Sequence, residues 1–306
     1  MAAAMRVDVP ETSTASINKK LVELRESTGM VTLGRVLTLV VCLSDAADVE
    51  DAIESASEAG KEHPCRIIVL VRGDADADNR LDAQIRLGGA EGASEVLVLN
   101  LHGELANHEA SVITPFLLPD TPVVAWWPKI APAAPSQDPV GRLAVRRITD
   151  ATFAPNPMAT IKTRGATYAS GDSDLAWARI THWRALLTAA LDEPPFEPIT
   201  SATVSGLLDE PALDVLAGWL AIRLNCPVKR LGGELRVELD RENSSVVIAR
   251  PQLGRTATLS RTGQPDKRLA LARRKTRDCL AEDLRRLDAD QIYESALEGL
   301  ERVEYE

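Results

Sequence analysis

VLTLVVCL, residues 36–43, is a near-continuous run of leucine and β-branched residues. A run of this kind marks a strand buried on both faces, since an exposed face would place polar residues at every second position. Upstream, Ser13 or Thr14 caps a helix with Ile17, Leu21 and Leu24 inward and Gly29 closing it. Downstream, Asp48 opens a helix to Ala59 that turns Ile53, Ala56 and Ala59 or Gly60 inward, and 65–71, CRIIVLV, is a second buried strand. Residues 80–87, RLDAQIRL, alternate instead, with Leu81, Ala83, Ile85 and Leu87 on one face. That pattern predicts a half-exposed antiparallel strand at a sheet edge. A strand at 96–101, a helix at 104–117 and a strand at 121–127 follow. Strand and helix repeated in this order predict an α/β fold whose N-terminal sheet is mainly parallel and flanked by helices.

The last of these strands lies in 117–128, LLPDTPVVAWWP, where Trp126 and Trp127 are adjacent and Pro128 stops the run. Side chains alternate along a strand, so only one of the two rings can point to a given face. The other needs cover from the following loop, a pocket wall or a protein interface. With only 4% of the chain aromatic, two large rings at one strand end are a pronounced local concentration. Burying one ring removes about 150–250 Å² from water, worth roughly 4–6 kcal/mol. Tryptophan is over-represented among residues that dominate interfaces, which makes Trp126 and Trp127 candidate partner contacts.

The proline-rich stretch 131–139, APAAPSQDP, reads as a connector, followed by a short helix at 142–147 and an extended piece at 148–152. Ser173 or Asp174 caps a helix to Leu191 with Trp177, Ile180, Trp183, Leu187 and Leu191 inside, ended by Pro194-Pro195. After a strand at 199–204, Asp209-Glu210-Pro211 starts a helix whose inner stripe is Leu213, Leu216, Ala217, Leu220 and Leu224. Four short strands are expected at 228–231, 235–239, 246–249 and 256–260, then a helix at 276–287 and another to the acidic end. This half reads as an α+β domain with an antiparallel sheet. The domains are placed at 1–167 and 168–306.

A chain of 306 residues is long enough for two cores. Its net charge of -10 argues against nucleic acid or an anionic membrane as partner. The N-terminus lacks the charged start and apolar core of a signal peptide, and no apolar run approaches a membrane span, so a cytoplasmic protein is expected. Cys42, Cys65, Cys226 and Cys279 lie far apart without metal or redox spacing, and are expected to be reduced and structural. Gly88-Gly89-Ala90-Glu91-Gly92 has the wrong spacing for a dinucleotide loop, and neither a P-loop, a GxSxG elbow nor an HExxH pair is present. His102 and His108, near Glu104 and Glu109, have a spacing that suits no helical metal pair, and His182 reads as a core or surface histidine. No catalytic, cofactor-binding or metal-binding residue is therefore expected.

Arg35, Arg66 and Arg72 sit at strand ends, where ligands of α/β sheets bind; solvated charges are the expected reading. Residues 250–286 carry eleven Lys or Arg, among them Lys267, Arg268, Arg273, Arg274, Lys275 and Arg277, against four acids. Residues 287–306 then carry seven acids and one arginine. Opposed blocks suit either an internal charge match or a partner-facing patch.

Several long phrases of this chain resemble the OpcA family, the glucose-6-phosphate dehydrogenase assembly proteins. They are 33–41 (LGRVLTLVV), 62–74 (EHPCRIIVLVRGD), 80–97 (RLDAQIRLGGAEGASEVL), 117–128, 146–150 (RRITD) and, more weakly, 174–192. The resemblance implies a non-catalytic cytoplasmic protein that binds glucose-6-phosphate dehydrogenase, promotes its active oligomer and raises its activity. It brings no catalytic motif to place on these residues. The alternative is a sugar-phosphate-processing enzyme, lactonase-like or isomerase-like, with strand-end arginines holding a phosphate.

Overall fold

In the computed structural model, which describes residues 5–28, 35–88 and 95–306, the chain forms two compact units. One is Met1–Thr149 rejoined by Thr276–Ala289, and the other is Asp150–Lys275 with Asp290–Glu306. The change of domain expected at 167/168 falls inside the second unit. Gly29 and residues 89–92 lie outside the described residues.

The first unit starts with β1 (Met5–Val9), α1 (Thr14–Thr28), β2 (Leu37–Leu43) and α2 (Val49–Gly60). It continues through β3 (Cys65–Arg72), β4 (Arg80–Leu87), β5 (Glu95–His102), α3 (Glu109–Ile113), β6 (Val123–Trp127) and β7 (Arg146–Thr149). Within it the strand order is β1-β4-β5-β3-β2-β6-β7. Pairing is parallel from β5 to β7 and antiparallel at β1–β4 and β4–β5. Both central runs are buried along their full apolar length, as two-sided cover requires.

Three expectations change here. β4 is not an edge strand, because Met5 to Val9 pair with Leu87 to Ala83 outside it. The helix expected at 104–117 is a 3-10 turn at Gly103–Asn107, the five residues of α3 and a second 3-10 turn at Thr114–Phe116, where Pro115 lacks an N–H to continue the ladder. Arg146 and Arg147, expected in a helix, lie in β7 and are buried.

The second unit carries α4 (Pro157–Ala166), β8 (Asp172–Asp174), α5 (Leu175–Arg179), α6 (Thr181–Leu191), β9 (Ser201–Gly206) and α7 (Pro211–Leu224). β10 (Val228–Gly232) comes next, then a meander of β11 (Arg236–Asp240), β12 (Ser245–Ala249), β13 (Thr256–Arg261) and β14 (Gln264–Ala270). Then α8 (Thr276–Leu284) returns to the first unit, while α9 (Gln291–Glu298) and β15 (Val303–Tyr305) complete the second. The sheet order is β14-β13-β12-β11-β9-β10-β15, antiparallel from β14 to β9 and parallel at β9–β10 and β10–β15.

Asp174 caps α5 by accepting from the N–H of Ala176, and Ile180 breaks the expected single helix into α5 and α6. Trp177, Ile180, Trp183 and Leu187 are buried as the helical spacing predicts, with Leu191 partly buried. α7 is buried on nearly every side, and Asn225 ends it in the left-handed region at φ 49°. Trp177 donates from its indole nitrogen to Asp290 at 2.8 Å. The same carboxylate caps α9.

Candidate functional site

From β2 the chain builds outward on one side through β3 and β5, then crosses back to place β6 on the other side of β2. That reversal is a topological switch point, and in open α/β sheets the crevice beyond the carboxyl ends of such strands is where ligands bind. A pocket of about 160 Å³ lies there, lined by Cys42 and Ser44 at the end of β2, Arg72 at the end of β3, Trp127 at the end of β6, and Glu109 and Asp138.

Its polar groups are already engaged. Arg72 donates from Nε and Nη2 to the two Glu109 oxygens at 3.0 and 2.8 Å, and this pairing raises the arginine pKa. Burial pushes the Cys42 thiol well above its usual range, with Glu109 and Asp138 adding to the rise. A thiol held protonated is no nucleophile. Burial likewise lifts Cys65, to about 12, and also raises Cys226.

Both tryptophans are buried, Trp126 at 1% and Trp127 at 5% exposure. Trp127 joins the core that includes Val123, Ala125 and Phe116, and lines the switch-point pocket. Trp126 points to the opposite face, its indole nitrogen buried without a hydrogen-bond partner. A sheet covered on both faces accepts both rings, so neither is presented on the surface of this chain.

The strand-end arginines divide. Arg35 and Arg66, expected as solvated charges, are buried against Glu95 at 3.3 and 2.9 Å. Arg25 adds two hydrogen bonds to that carboxylate at 2.9 and 2.8 Å. Three guanidiniums neutralise one glutamate that is itself 1% exposed, as a buried charge requires. Arg72 alone of the three candidates is largely exposed.

The basic residues of the later segment do not form one group. Lys267 and Arg268 lie exposed on β14, Lys267 at 3.4 Å from Glu193. Lys275 is exposed, and Arg277 lies in α8, in the first unit, at 4.0 Å from Glu54 and 3.9 Å from Asp278. Arg273 and Arg274 line a second pocket with Arg179, Arg250, Trp183 and Glu210. There Arg273 bonds Glu210 at 2.9 Å, Arg274 donates to the Ala178 carbonyl at 2.7 Å, and Arg179 is paired by two bonds of 2.9 and 2.7 Å with Asp150.

Arg250 is the residue that sequence reading left unremarked within its basic segment, yet a signal is present. Val246 and Ile248 point into the core from β12, and Arg250 continues their parity as a buried arginine. Among the described residues no group of three or more His, Cys, Asp and Glu is arranged to hold a metal, and His102 approaches Asp82 at 3.4 Å. No described helix is long and apolar enough to cross a membrane.

No curated protein matches the chain. Among solved structures it is similar to one described as trehalose-6-phosphate from E. coli bound with UDP-2-fluoro glucose, at 8% identity over 64% of each chain with a TM-score of 0.24. It is also similar to an apo structure of OtsA, at 9% identity over 64% of this chain and 65% of that one, with a TM-score of 0.25. The matched region is thus under two thirds of either neighbour, and overlap this loose says nothing further about the chain. Two family models match in tandem. Residues 56–166 match the glucose-6-phosphate dehydrogenase subunit N-terminal domain, and 170–297 match the C-terminal domain of the same subunit. Over both halves, then, the chain belongs to the OpcA family of glucose-6-phosphate dehydrogenase subunits.

Proposed function

We propose that this protein is a non-catalytic cytoplasmic assembly factor that binds glucose-6-phosphate dehydrogenase, favours its active oligomer and raises its activity. The observation that carries the reading is the tandem match of both halves to the two domains of one dehydrogenase subunit. The chemistry of the described side chains supports it: Glu109 and Glu95 are held by arginines, and the Cys42 and Cys65 thiols are pushed up by burial. Docking falls to the exposed basic residues Lys267, Arg268 and Lys275, since the Trp126 and Trp127 rings are covered. A rim of exposed charge of this kind steers association and sets its salt dependence.

Activation requires tighter binding to the active state of the enzyme than to the inactive one. A tenfold gain in apparent substrate affinity corresponds to about 1.4 kcal/mol of coupling. The test is a titration of this protein into the dehydrogenase, with initial rates read at each ratio. The reading predicts a saturable rise in rate, and no turnover of sugar phosphates by this protein alone. Turnover by the protein alone, or rates unchanged at micromolar concentration and low salt, would overturn it.

A further inference from the structure

We propose that the pocket at the start of α7 is an anion site, taking the phosphate group of a small phosphate or phosphate monoester on Arg250 and Arg273. It is a property of the second unit's own side chains and holds whether or not the dehydrogenase is the partner.

Arg250 is the centre of the argument. Its side chain is buried to 7% exposure, yet no ion pair reaches it among the described residues. One nitrogen, Nη1, donates to the Leu271 carbonyl at 3.0 Å, while Nε is buried with no hydrogen-bond partner. The ring of Trp183 lies 5.9 Å from the guanidinium carbon, a weak cation–π distance that supplies no countercharge. Burial together with the nearby charge of Arg273 disfavours the charged form, and only Glu210 opposes this. Glu210 is already bonded to Arg273. Buried guanidinium groups are normally paired, because an unpaired charge in such a setting is costly. An anion in this pocket supplies the missing partner.

The surroundings suit that anion. Ala212 and Leu213, in the first turn of the 14-residue α7, line the same pocket. Glu210 caps this helix with its backbone only, making no side-chain hydrogen bond to the first turn. The positive end of the helix dipole favours negative charge at this position. Ile180, Leu207 and Leu235 add apolar wall beside the further cations Arg179 and Arg274, and apolar surroundings strengthen charge pairing.

Size selects the ligand class. The pocket gives about 40 Å³ to the centres of water-sized molecules, against the 10–15 Å³ or so that one water needs. One tetrahedral oxyanion fits, but not a sugar or a base, so a monoester enters phosphate first with its organic part outside, near Gln252. Arginine forks match phosphate oxygens in pairs, which lysine cannot do.

Calorimetric titration of the full chain tests the site with three probes at matched ionic strength: inorganic phosphate, glycerol 3-phosphate and chloride. The proposal expects saturable binding of one or both phosphates and none of chloride. Tighter binding of glycerol 3-phosphate would identify an organic monoester as the ligand type, and equal binding would identify the free anion. Arg250→Gln, which removes the charge but keeps a polar side chain, should weaken binding tenfold or more. Arg273→Gln, on the exposed rim, should also weaken it and keeps the test valid if the Arg250 variant does not fold. Phosphate binding no stronger than chloride binding would overturn the proposal. Affinity unchanged in Arg273→Gln and in any folded Arg250→Gln would do the same.

Discussion

Arg146 in β7 and Asp283 in α8 form a buried ion pair, with Nη2 and Nε at 2.6 and 2.7 Å from the same carboxylate oxygen. They are 137 positions apart in sequence. Arg146 also donates to the Asp288 carbonyl at 2.8 Å. The second unit is thus spliced between two segments of the first, and this pair is a tie that brings α8 home to the sheet. Asp283→Ala leaves Arg146 buried without its countercharge and should cost about 3–5 kcal/mol. Urea denaturation checks it; a midpoint within error of wild type would mean that α8 is held by its apolar contacts alone.

The two tryptophans make a second prediction. Since both rings are buried, Trp126→Ala and Trp127→Ala should each lose about 3–5 kcal/mol of stability. A melt of each variant decides it. A variant that kept its full stability would mean that its ring is surface and a free contact for a partner.

How far these features could be read in advance depended on whether the signal was local. The runs at 36–43 and 65–71 were legible because a doubly buried strand advertises itself in its own residues. β1 was not: Met5–Val9 is short, carries Arg6 and Asp8, and is exposed or half-buried along its length. Arg146 and Arg147 read as the end of a short helix because the partner of Arg146 lies in α8, far along the chain. In the candidate sites, Arg273 and Arg274 were visible as charge density. Arg250 was visible only through its parity with Val246 and Ile248, a weaker signal that a basic count alone does not use. The switch-point pocket needed the strand order, which sequence does not print.

Asp214 gives a pH prediction. Burial pushes its carboxyl from 3.8 up to about 6, against the opposing pull of Arg230, which bonds it at 3.0 Å. With a folded pKa above the unfolded one, the native state keeps a proton that the unfolded chain has lost between about pH 4 and 6. Stability from this group therefore rises as pH falls through that window, by on the order of 2–3 kcal/mol. The stability difference between wild type and Asp214→Asn, measured by urea melts at pH 7 and pH 4.5, should shift in favour of wild type at the lower pH. A difference independent of pH would show that Asp214 stays ionised throughout.

Gly218 tests the packing of α7 on α9. A Cβ placed there would sit 2.3 Å from the Ala296 carbonyl oxygen and 3.1 Å from the backbone nitrogen of Leu300. Backbone cannot give way as a side chain end does, so Gly218→Ala should destabilise by about 1–3 kcal/mol, although alanine is the better helix former. An unchanged or raised thermal midpoint would show that the two helices can part at this crossing.

The central claim is physical association with the dehydrogenase, and light scattering coupled to size exclusion tests it most directly. Glucose-6-phosphate dehydrogenase is run alone, this protein alone, and the two mixed at micromolar concentration and low salt. The account predicts a new peak containing both chains, with a mass above that of either component and a dehydrogenase oligomer shifted toward its active form. Two species eluting at their separate positions with unchanged masses would contradict it.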